Sequence, residues 1–248
     1  MKAIIIGAGR GIRLMPHTKN APKCLAEVKG RRILDWGLDA LRSAGLHDIV
    51  FVGGYRIEQV QTQYPGLTYC HNADWPNNNI LMSLMHAEFH MDDGFVCAYS
   101  DILYRPEIVA SLMGSMHEIT LVCDTAWRER YRKRTEHPET DAEKIASVGN
   151  RVVTIGRNVP GEIAHGEYTG IARFGRDGTV QLREAYHRAR TLYNGRPFQS
   201  AVTFQRAYLI DLYQEMLDAA VPIHLMETDG GYMEIDTNQD FRIAREEW

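Results

Sequence analysis

The sequence predicts an α/β fold, a Rossmann-like, mostly parallel mixed sheet flanked by helices, with antiparallel additions in its second half. Three observations predict it. Short apolar runs alternate with helix-length segments up to about residue 101, the pattern of βαβ units. The first of these runs opens straight into a glycine-rich loop, as a strand that feeds a ligand site does. Beyond about residue 115 the runs are separated by Gly-Asn and Asp-Gly turn signals, which favour antiparallel pairing.

KAIIIG at the N-terminus is the first strand; the apolar run is short and no small-residue cleavage site follows it, so it does not read as a leader. Ile33, Trp36, Leu38 and Leu41 share one helical face, Leu34 and Ala40 widen the stripe, and Gly45 stops the helix. DIVFVGG is a strand, a polar stretch follows, and LTYCHN is the next strand. NILMSLMHAEFHM reads as a helix, GFVCAYS as the central strand, EIVASLMGSM as a helix and EITLVCDT as a strand. The charged stretch from Trp127 to Lys144 is either a solvated loop or helix, or a flap over a ligand. ASVGNRVVTIGRN turns at Gly149-Asn150, and YTGIARFGRDGTV at Asp177-Gly178, both as hairpin signals. LREAYHRARTLYN and AYLIDLYQEMLDAAV are helical, PIHLMETDGGYMEIDT is strand, turn and strand, and DFRIAREEW is a last helix. No repeat or low-complexity linker divides the chain, so a single domain over 1–248 is expected, with a nucleotide-binding half of about 1–115 and an acceptor half of about 116–248.

A formal charge of −4 supplies no global basic field, which argues against a partner made of nucleic acid. The basic cluster from Arg128 to Arg134 is offset by neighbouring acids. No segment approaches the roughly 18 consecutive apolar residues of a membrane span, so no membrane insertion is expected. Cys24, Cys70, Cys97 and Cys123 are widely spaced, without a C-x-x-C pair, and fit a reducing cytoplasm as small buried hydrophobes. The composition is compatible with a homodimer and does not require one.

The segment IIIGAGRGIRLMPHTKNAPKCL carries the chemistry. Gly7, Gly9 and Gly11 let backbone N–H groups approach phosphate oxygens. A dinucleotide fingerprint would need glycine at position 12, where Ile12 stands, and an acidic residue after the second strand, which is missing. A Walker A loop would place Lys-Ser or Lys-Thr where Ile12-Arg13 stands. What sets this loop apart is a pair of cations, Arg13 and Lys23, matched to the charge of a triphosphate that amides alone neutralise poorly. Pro16 and Pro22 stiffen the excursion that returns Lys23 towards the phosphates.

Ala8-Gly9, Gly11, Arg13-Leu14, Pro16, Thr18, Pro22-Lys23 and Leu25 resemble the signature of the nucleoside-diphosphate-sugar pyrophosphorylase family. Gly7 departs from it, since alanine is usual there. The resemblance implies a nucleotide-diphospho-sugar transferase type of fold and transfer of a nucleotide to a phosphorylated acceptor. It also implies that Ala8, Gly9, Arg10 and Gly11 bind the triphosphate, while Arg13 and Lys23 stabilise the reacting phosphates. A nucleotidyl transfer needs a divalent cation, and Mg²⁺ prefers carboxylates, phosphates and water. Asp101 ends the central strand and Asp236 sits in YMEIDT, places that match the family's two metal-binding aspartates. Ser100 stands where the family commonly has Gly or Ala.

The stretch from His71 to Leu84, HNADWPNNNILMSL, resembles the phosphocholine cytidylyltransferase branch, as do Gly54-Tyr55-Arg56, SDILY, YTGIARF and GGYMEIDT. That branch implies CTP and a phosphocholine-like acceptor, with Asn78, Asn79 and Ser83 near the base or ribose. A sugar-1-phosphate, a phosphonate or another phosphorylated amine or amino acid is the alternative acceptor. A cationic acceptor would favour aromatic faces with carboxylates nearby. Trp127, Tyr168 and Tyr232 with Glu234 are candidates, beside Trp75, Tyr131, Tyr193, Asp141 and Glu143. The rival from another class is a noncatalytic nucleotide-binding regulator, against which retention of Asp101 and Asp236 argues.

Overall fold

Residues 1–248 are all described in the structure, a computed structural model. In chain order the elements are β1 (Lys2–Gly7), β2 (Glu27–Val28), β3 (Arg31–Arg32), α1 (Ile33–Ser43), β4 (Ile49–Gly53), α2 (Ile57–Gln63), β5 (Thr68–His71), α3 (Ile80–Met85), β6 (Phe95–Tyr99), β7 (Ile102–Tyr104), α4 (Pro106–Met113) and β8 (Ile119–Asp124). They continue as α5 (Trp127–Arg132), β9 (Lys144–Val148), β10 (Arg151–Gly156), β11 (Gly166–Phe174), α6 (Arg176–Tyr193), α7 (Leu209–Asp218), β12 (His224–Thr228), β13 (Tyr232–Glu234) and α8 (Asn238–Glu247).

One mixed sheet runs β5-β4-β1-β6-β11-β8-β12-β10-β9. β1 lies parallel to β4 and to β6, with Ile4 opposite Val50 on one side and Cys97 on the other. β11 enters antiparallel between β6 and β8, and β9 reaches back to β11 at Ile145 and Gly166. Both faces of β1 are covered, which is why its run is apolar without alternation. Ile4 and Ile6 pack under α3, α6 and α7, while Ala3 and Ile5 pack under α1 and α4, as the two-residue period of a strand dictates.

The Gly149-Asn150 turn joins β9 to β10 as expected. Asp177-Gly178 does not form a hairpin; it lies in the first turn of α6. Gly178 sits against the Glu118 carbonyl, where a side chain would collide, and its N–H donates to the Glu118 carboxylate at 3.0 Å. The glycine serves close approach of helix to strand rather than a turn. The strand, turn and strand expected over PIHLMETDGGYMEIDT are present as β12 and β13, which join different sheets. β12 joins the main sheet beside β8, whereas β13 pairs antiparallel with β7, Ile102 opposite Glu234. The charged stretch from Trp127 to Lys144 is partly interior, since Arg134 and His137 are buried against α8. No helix is long and apolar enough to cross a membrane.

Candidate active site

The glycine-rich loop leaves β1 at the carboxyl end of the sheet's parallel half, where ligands of such sheets bind. Three contacts fix its path. The Tyr55 N–H donates to the Ala8 carbonyl at 2.9 Å, and Gly54 has no side chain to collide with that oxygen. Thr18, fully buried, donates its hydroxyl to the Gly11 carbonyl at 2.8 Å. Gly11 itself has φ of 67°, and the carbon stem of Lys23 passes 3.0 Å from where a Cβ would stand. A side chain at position 11 would therefore displace Lys23 as well as strain the backbone.

Lys23 starts a short 3₁₀ turn after Pro22, and its ammonium is buried at the foot of the loop. It donates to Asp101 Oδ2 at 2.7 Å and to Asp236 Oδ1. Arg13, more exposed, donates to Asp236 Oδ2 and to Asp141 Oδ2 at 3.3 Å. Asp101 and Asp236 meet because of the β7–β13 ribbon: with Ile102 opposite Glu234, the residues preceding β7 and following β13 fall side by side, and the Ile235 N–H donates to the Asp101 carbonyl at 3.0 Å. Asp236 is held in place by the start of α8. Asp240 accepts from the N–H groups of Asp236 at 3.1 Å and Thr237 at 2.8 Å, in a capping box. Asn238 then donates to the Met15 carbonyl at 2.7 Å, tying α8 to the loop.

Burial and neighbouring charges pull in opposite directions here. Burial alone would lower the Lys23 pKa, but Asp101 and Asp236 outweigh it and hold the ammonium above its ordinary value. Burial would raise Asp236, yet Lys23 and Arg13 keep it well below the usual carboxylate range. At Glu234 the nearby Arg134 charge is outweighed. Burial first, then the Asp236, Glu167 and Asp101 charges, push its carboxyl well up.

The loop floors a cavity of about 530 Å³, lined by Gly7, Ala8, Gly9, Gly11, Arg13 and Lys23 on one side and by Trp75, Asn78, Asn79 and Ser83 on another. Asn72, fully buried, orients that second wall: its amide donates to Asn78 Oδ1 at 2.8 Å and Ser83 Oγ at 3.0 Å. Asn79 caps α3 by accepting from the Ile80 N–H at 2.9 Å. Beneath the cavity lies a recess of about 20 Å³ that shares Arg13, Tyr99, Asp141, Glu143, Arg157, Glu234 and Asp236 with it and adds Glu167, Tyr168 and Tyr232. Burial pushes the Glu143 carboxyl up to about 7, Arg157 opposing and Glu167 and Asp211 adding to the rise.

Among the residues expected from the sequence, four stand apart. Arg10 turns from the cavity and lies 5.3 Å over the Tyr55 ring. Trp127 is buried with Tyr131 and Ala142 beneath α5 and lines neither space. Tyr131 packs beside Trp127, and Tyr193 packs on Phe198, both outside the two spaces.

Residues 3–194 match the MobA-like NTP transferase domain. The chain belongs to that family. It is a nucleotidyltransferase, and the resemblance read from the loop holds. A CTP:phosphoglutamine cytidylyltransferase of Campylobacter jejuni subsp. jejuni serotype O:2 is 28% identical over 99% of this chain and 100% of its own length. A choline-phosphate cytidylyltransferase of Streptococcus pneumoniae is 31% identical over 42% of this chain and 47% of its own. The solved CTP:phosphocholine cytidylyltransferase from Streptococcus pneumoniae shares the fold, with a TM-score of 0.73 at 20% identity over 99% of this chain and 97% of that one.

Two departures from the nucleotidyltransferase signature turn out to touch. A Cβ at Gly7 would stand 2.5 Å from Ser100 Oγ and 2.8 Å from Phe51 Cζ. The smaller residue in the loop makes room for the larger one after β6. The sequence did not single out Tyr99, His137, Arg157 or Glu167. His137, Glu234 and Asp236 offer donor atoms within 4.8 Å of one another. His137 is nearly enclosed and its Nδ1 faces Asp240 at 3.4 Å, which suits a brace between α8 and β13. Mg²⁺ prefers oxygen donors, and Asp101 with Asp236 supplies them: their carboxylates already converge on one positive charge, the Lys23 ammonium.

Proposed function

We propose that this enzyme transfers CMP from CTP to a small phosphorylated acceptor that carries a cationic amine, releasing pyrophosphate. The observation that carries this reading is the recess of glutamates and tyrosines opening from the floor of the nucleotide cavity. Its volume of about 20 Å³ takes one water-sized group, since roughly 10–15 Å³ of such space holds a water. A primary ammonium has that size; the trimethylammonium of phosphocholine is bulkier. Similarity to cytidylyltransferases for phosphoglutamine, choline phosphate and 2-aminoethylphosphonate supports both the nucleotide and a nitrogen-bearing acceptor.

In this reading the amides of Ala8 to Gly11 and the Arg13 guanidinium bind the β- and γ-phosphates. Asn78 and Ser83, oriented by Asn72, contact base or ribose, and the cap at Asn79 holds that wall rigid. Lys23 neutralises the α-phosphate as an acceptor phosphate oxygen attacks it in line, without a covalent enzyme intermediate. Glu234 and Glu143, with Tyr168 and Tyr232, receive the amine. Asp101 and Asp236 would hold Mg²⁺, which when bound supplies charge neutralisation at the phosphates. Arg13 and Lys23 then exchange carboxylate partners for phosphate oxygens. One continuous domain carries both halves of the site.

The test is pyrophosphate release across four nucleoside triphosphates and a panel of phosphorylated amines, phosphorylated amino acids, phosphocholine and sugar 1-phosphates. CTP with an amine-bearing acceptor is the expected productive pair. Turnover confined to sugar 1-phosphates, or nucleotide binding without pyrophosphate release, overturns the reading.

A further inference from the structure

Arg157 follows the last residue of β10 and faces both the nucleotide cavity and the recess. Of the other arginines around the recess, Arg13 holds Asp236 and Asp141 at the loop, and two are spent on structure. Arg130 pairs with Asp124 and Glu167, and Arg134 binds Asp240 at 3.0 Å and the Glu234 carbonyl at 2.8 Å. Tyr208 packs on the Arg157 guanidinium, which lies 4.1 Å over its ring. Glu143 Oε1 stands 3.6 Å from a terminal nitrogen of Arg157, beyond hydrogen-bond reach. A guanidinium is a rigid fork of five donors; here the Nε is buried without a partner, while the terminal nitrogens, on a side chain one-third exposed, stay open to a ligand in the cavity.

Glu143 is the matching acceptor. Glu167 uses both oxygens, on Arg130 and on Tyr131 at 2.6 Å. The Glu143 carboxylate, nearly buried, accepts one long bond, from Tyr99 at 3.4 Å. Two opposite charges with unused hydrogen-bonding capacity thus face one space, close together but not bonded to each other.

We propose that Glu143 and Arg157 read the head of an α-amino acid, Glu143 accepting from its ammonium and Arg157 gripping its carboxylate, so that the acceptor is a phosphorylated amino acid. This rests on the cytidylyltransferase reading above. In such a molecule the two charges are separated by a single carbon, and the side-chain pair presents their complement at matching separation. A bidentate fork suits a carboxylate. The phosphates belong elsewhere, at Arg13 and Lys23, because an acceptor phosphate placed at Arg157 would lie against the Glu143 charge. A simple phosphorylated amine would satisfy Glu143 and leave Arg157 unmet.

The experiment compares acceptors that differ only by the carboxylate: O-phosphoserine with phosphoethanolamine, and amide-phosphorylated glutamine with amide-phosphorylated 4-aminobutanamide. Pyrophosphate release from CTP is followed for the wild type, Arg157→Gln and Arg157→Lys. In whichever pair is turned over, the wild type should favour the carboxylated member by roughly 10²-fold in kcat/KM, because a site built to pair a charged group rejects the analogue lacking it. Arg157→Gln should bring the two members together while leaving the KM for CTP unchanged, and Arg157→Lys should retain part of the preference. Equal use of both members by the wild type overturns the proposal, as does an Arg157→Gln variant that loses both equally or raises the KM for CTP. Absence of CTP-dependent pyrophosphate release with every acceptor overturns the cytidylyltransferase reading itself and this proposal with it. CTP-dependent release with only phosphocholine overturns the amino-acid head alone.

Discussion

The Lys23 ammonium donates to the Asp101 carboxylate at 2.7 Å, at the foot of the glycine-rich loop. A lysine assigned to phosphate therefore rests on a carboxylate assigned to metal, and Asp236 completes the pairing. Both partners are needed while no ligand is bound, since breaking a buried ion pair leaves an uncompensated charge, commonly at a cost of about 3–5 kcal/mol. Lys23→Ala should lower kcat by roughly 10²-fold or more, as loss of one aimed charge in a dry site does. The same variant should bind Mg²⁺ more tightly before nucleotide is added, because the competing cation is gone. Steady-state kinetics and metal titration of the free protein read the two effects; near-normal turnover removes Lys23 from the chemistry.

Asp101→Asn keeps the size of the side chain and removes its charge. If Asp101 and Asp236 hold the metal together, the Mg²⁺ concentration for half-maximal rate should rise at least about tenfold, the scale on which lost ligand interactions act. An unchanged metal requirement, measured at saturating CTP, would take Asp101 out of the metal site.

Gly7 and Ser100 make a steric pair with a measurable signature. Gly7→Ala drives a Cβ to 2.5 Å from Ser100 Oγ and 2.8 Å from Phe51 Cζ, so overpacking should cost about 1–3 kcal/mol. Ser100→Gly in the same chain should return about 1 kcal/mol of that, the coupling expected of residues in contact. Phe51, fully buried, limits the rescue. Strict additivity in denaturant unfolding of the two single variants and the double variant would show that the departures are independent.

Trp127 packs on Tyr131 with ring centroids 5.9 Å apart, away from both ligand spaces. Trp127→Phe should lower Tm through lost packing and leave the KM for the acceptor unchanged. A selective rise in that KM, with Tm intact, would make Trp127 part of the acceptor site.

The loop was legible in the sequence because its task is local: the glycines, Thr18, Pro22 and Lys23 act within some eighteen residues of one another. Asp101 and Asp236 were legible singly, at strand ends, but their adjacency was not. It depends on the pairing of two three-residue strands, β7 and β13, and so short a run announces neither its partner nor its register. Asp177-Gly178 carries the same letters as a hairpin turn, and only the nearby Glu118 carbonyl decides for a helix. Arg157 and Glu167 were not singled out, because nothing in a neighbouring sequence reports burial by distant strands. Glu143 was read as a candidate through its aromatic neighbours, while the cation it faces, Arg157, comes from the far side of the β9–β10 hairpin.

Glu143 also makes the folding equilibrium depend on pH in a defined sense. Its carboxyl, ordinarily near 4.5, is pushed up to about 7 by burial, with Glu167 and Asp211 adding and Arg157 and the Tyr99 hydroxyl opposing. The folded protein thus binds a proton that the unfolded chain has lost between those two values. Stability falls as pH rises wherever the folded state holds more protons, so the penalty is absent below about 4.5, grows through the window and is complete above about 7. Glu143→Gln removes the titration and keeps the shape. The stability of Glu143→Gln relative to the wild type should therefore climb from pH 4.5 towards pH 7 and level off above it, in denaturant unfolding at a series of pH values. A difference that stays flat across that range would mean that the Glu143 carboxylate is already neutralised within the fold, by Arg157, rather than waiting for the charge of an acceptor.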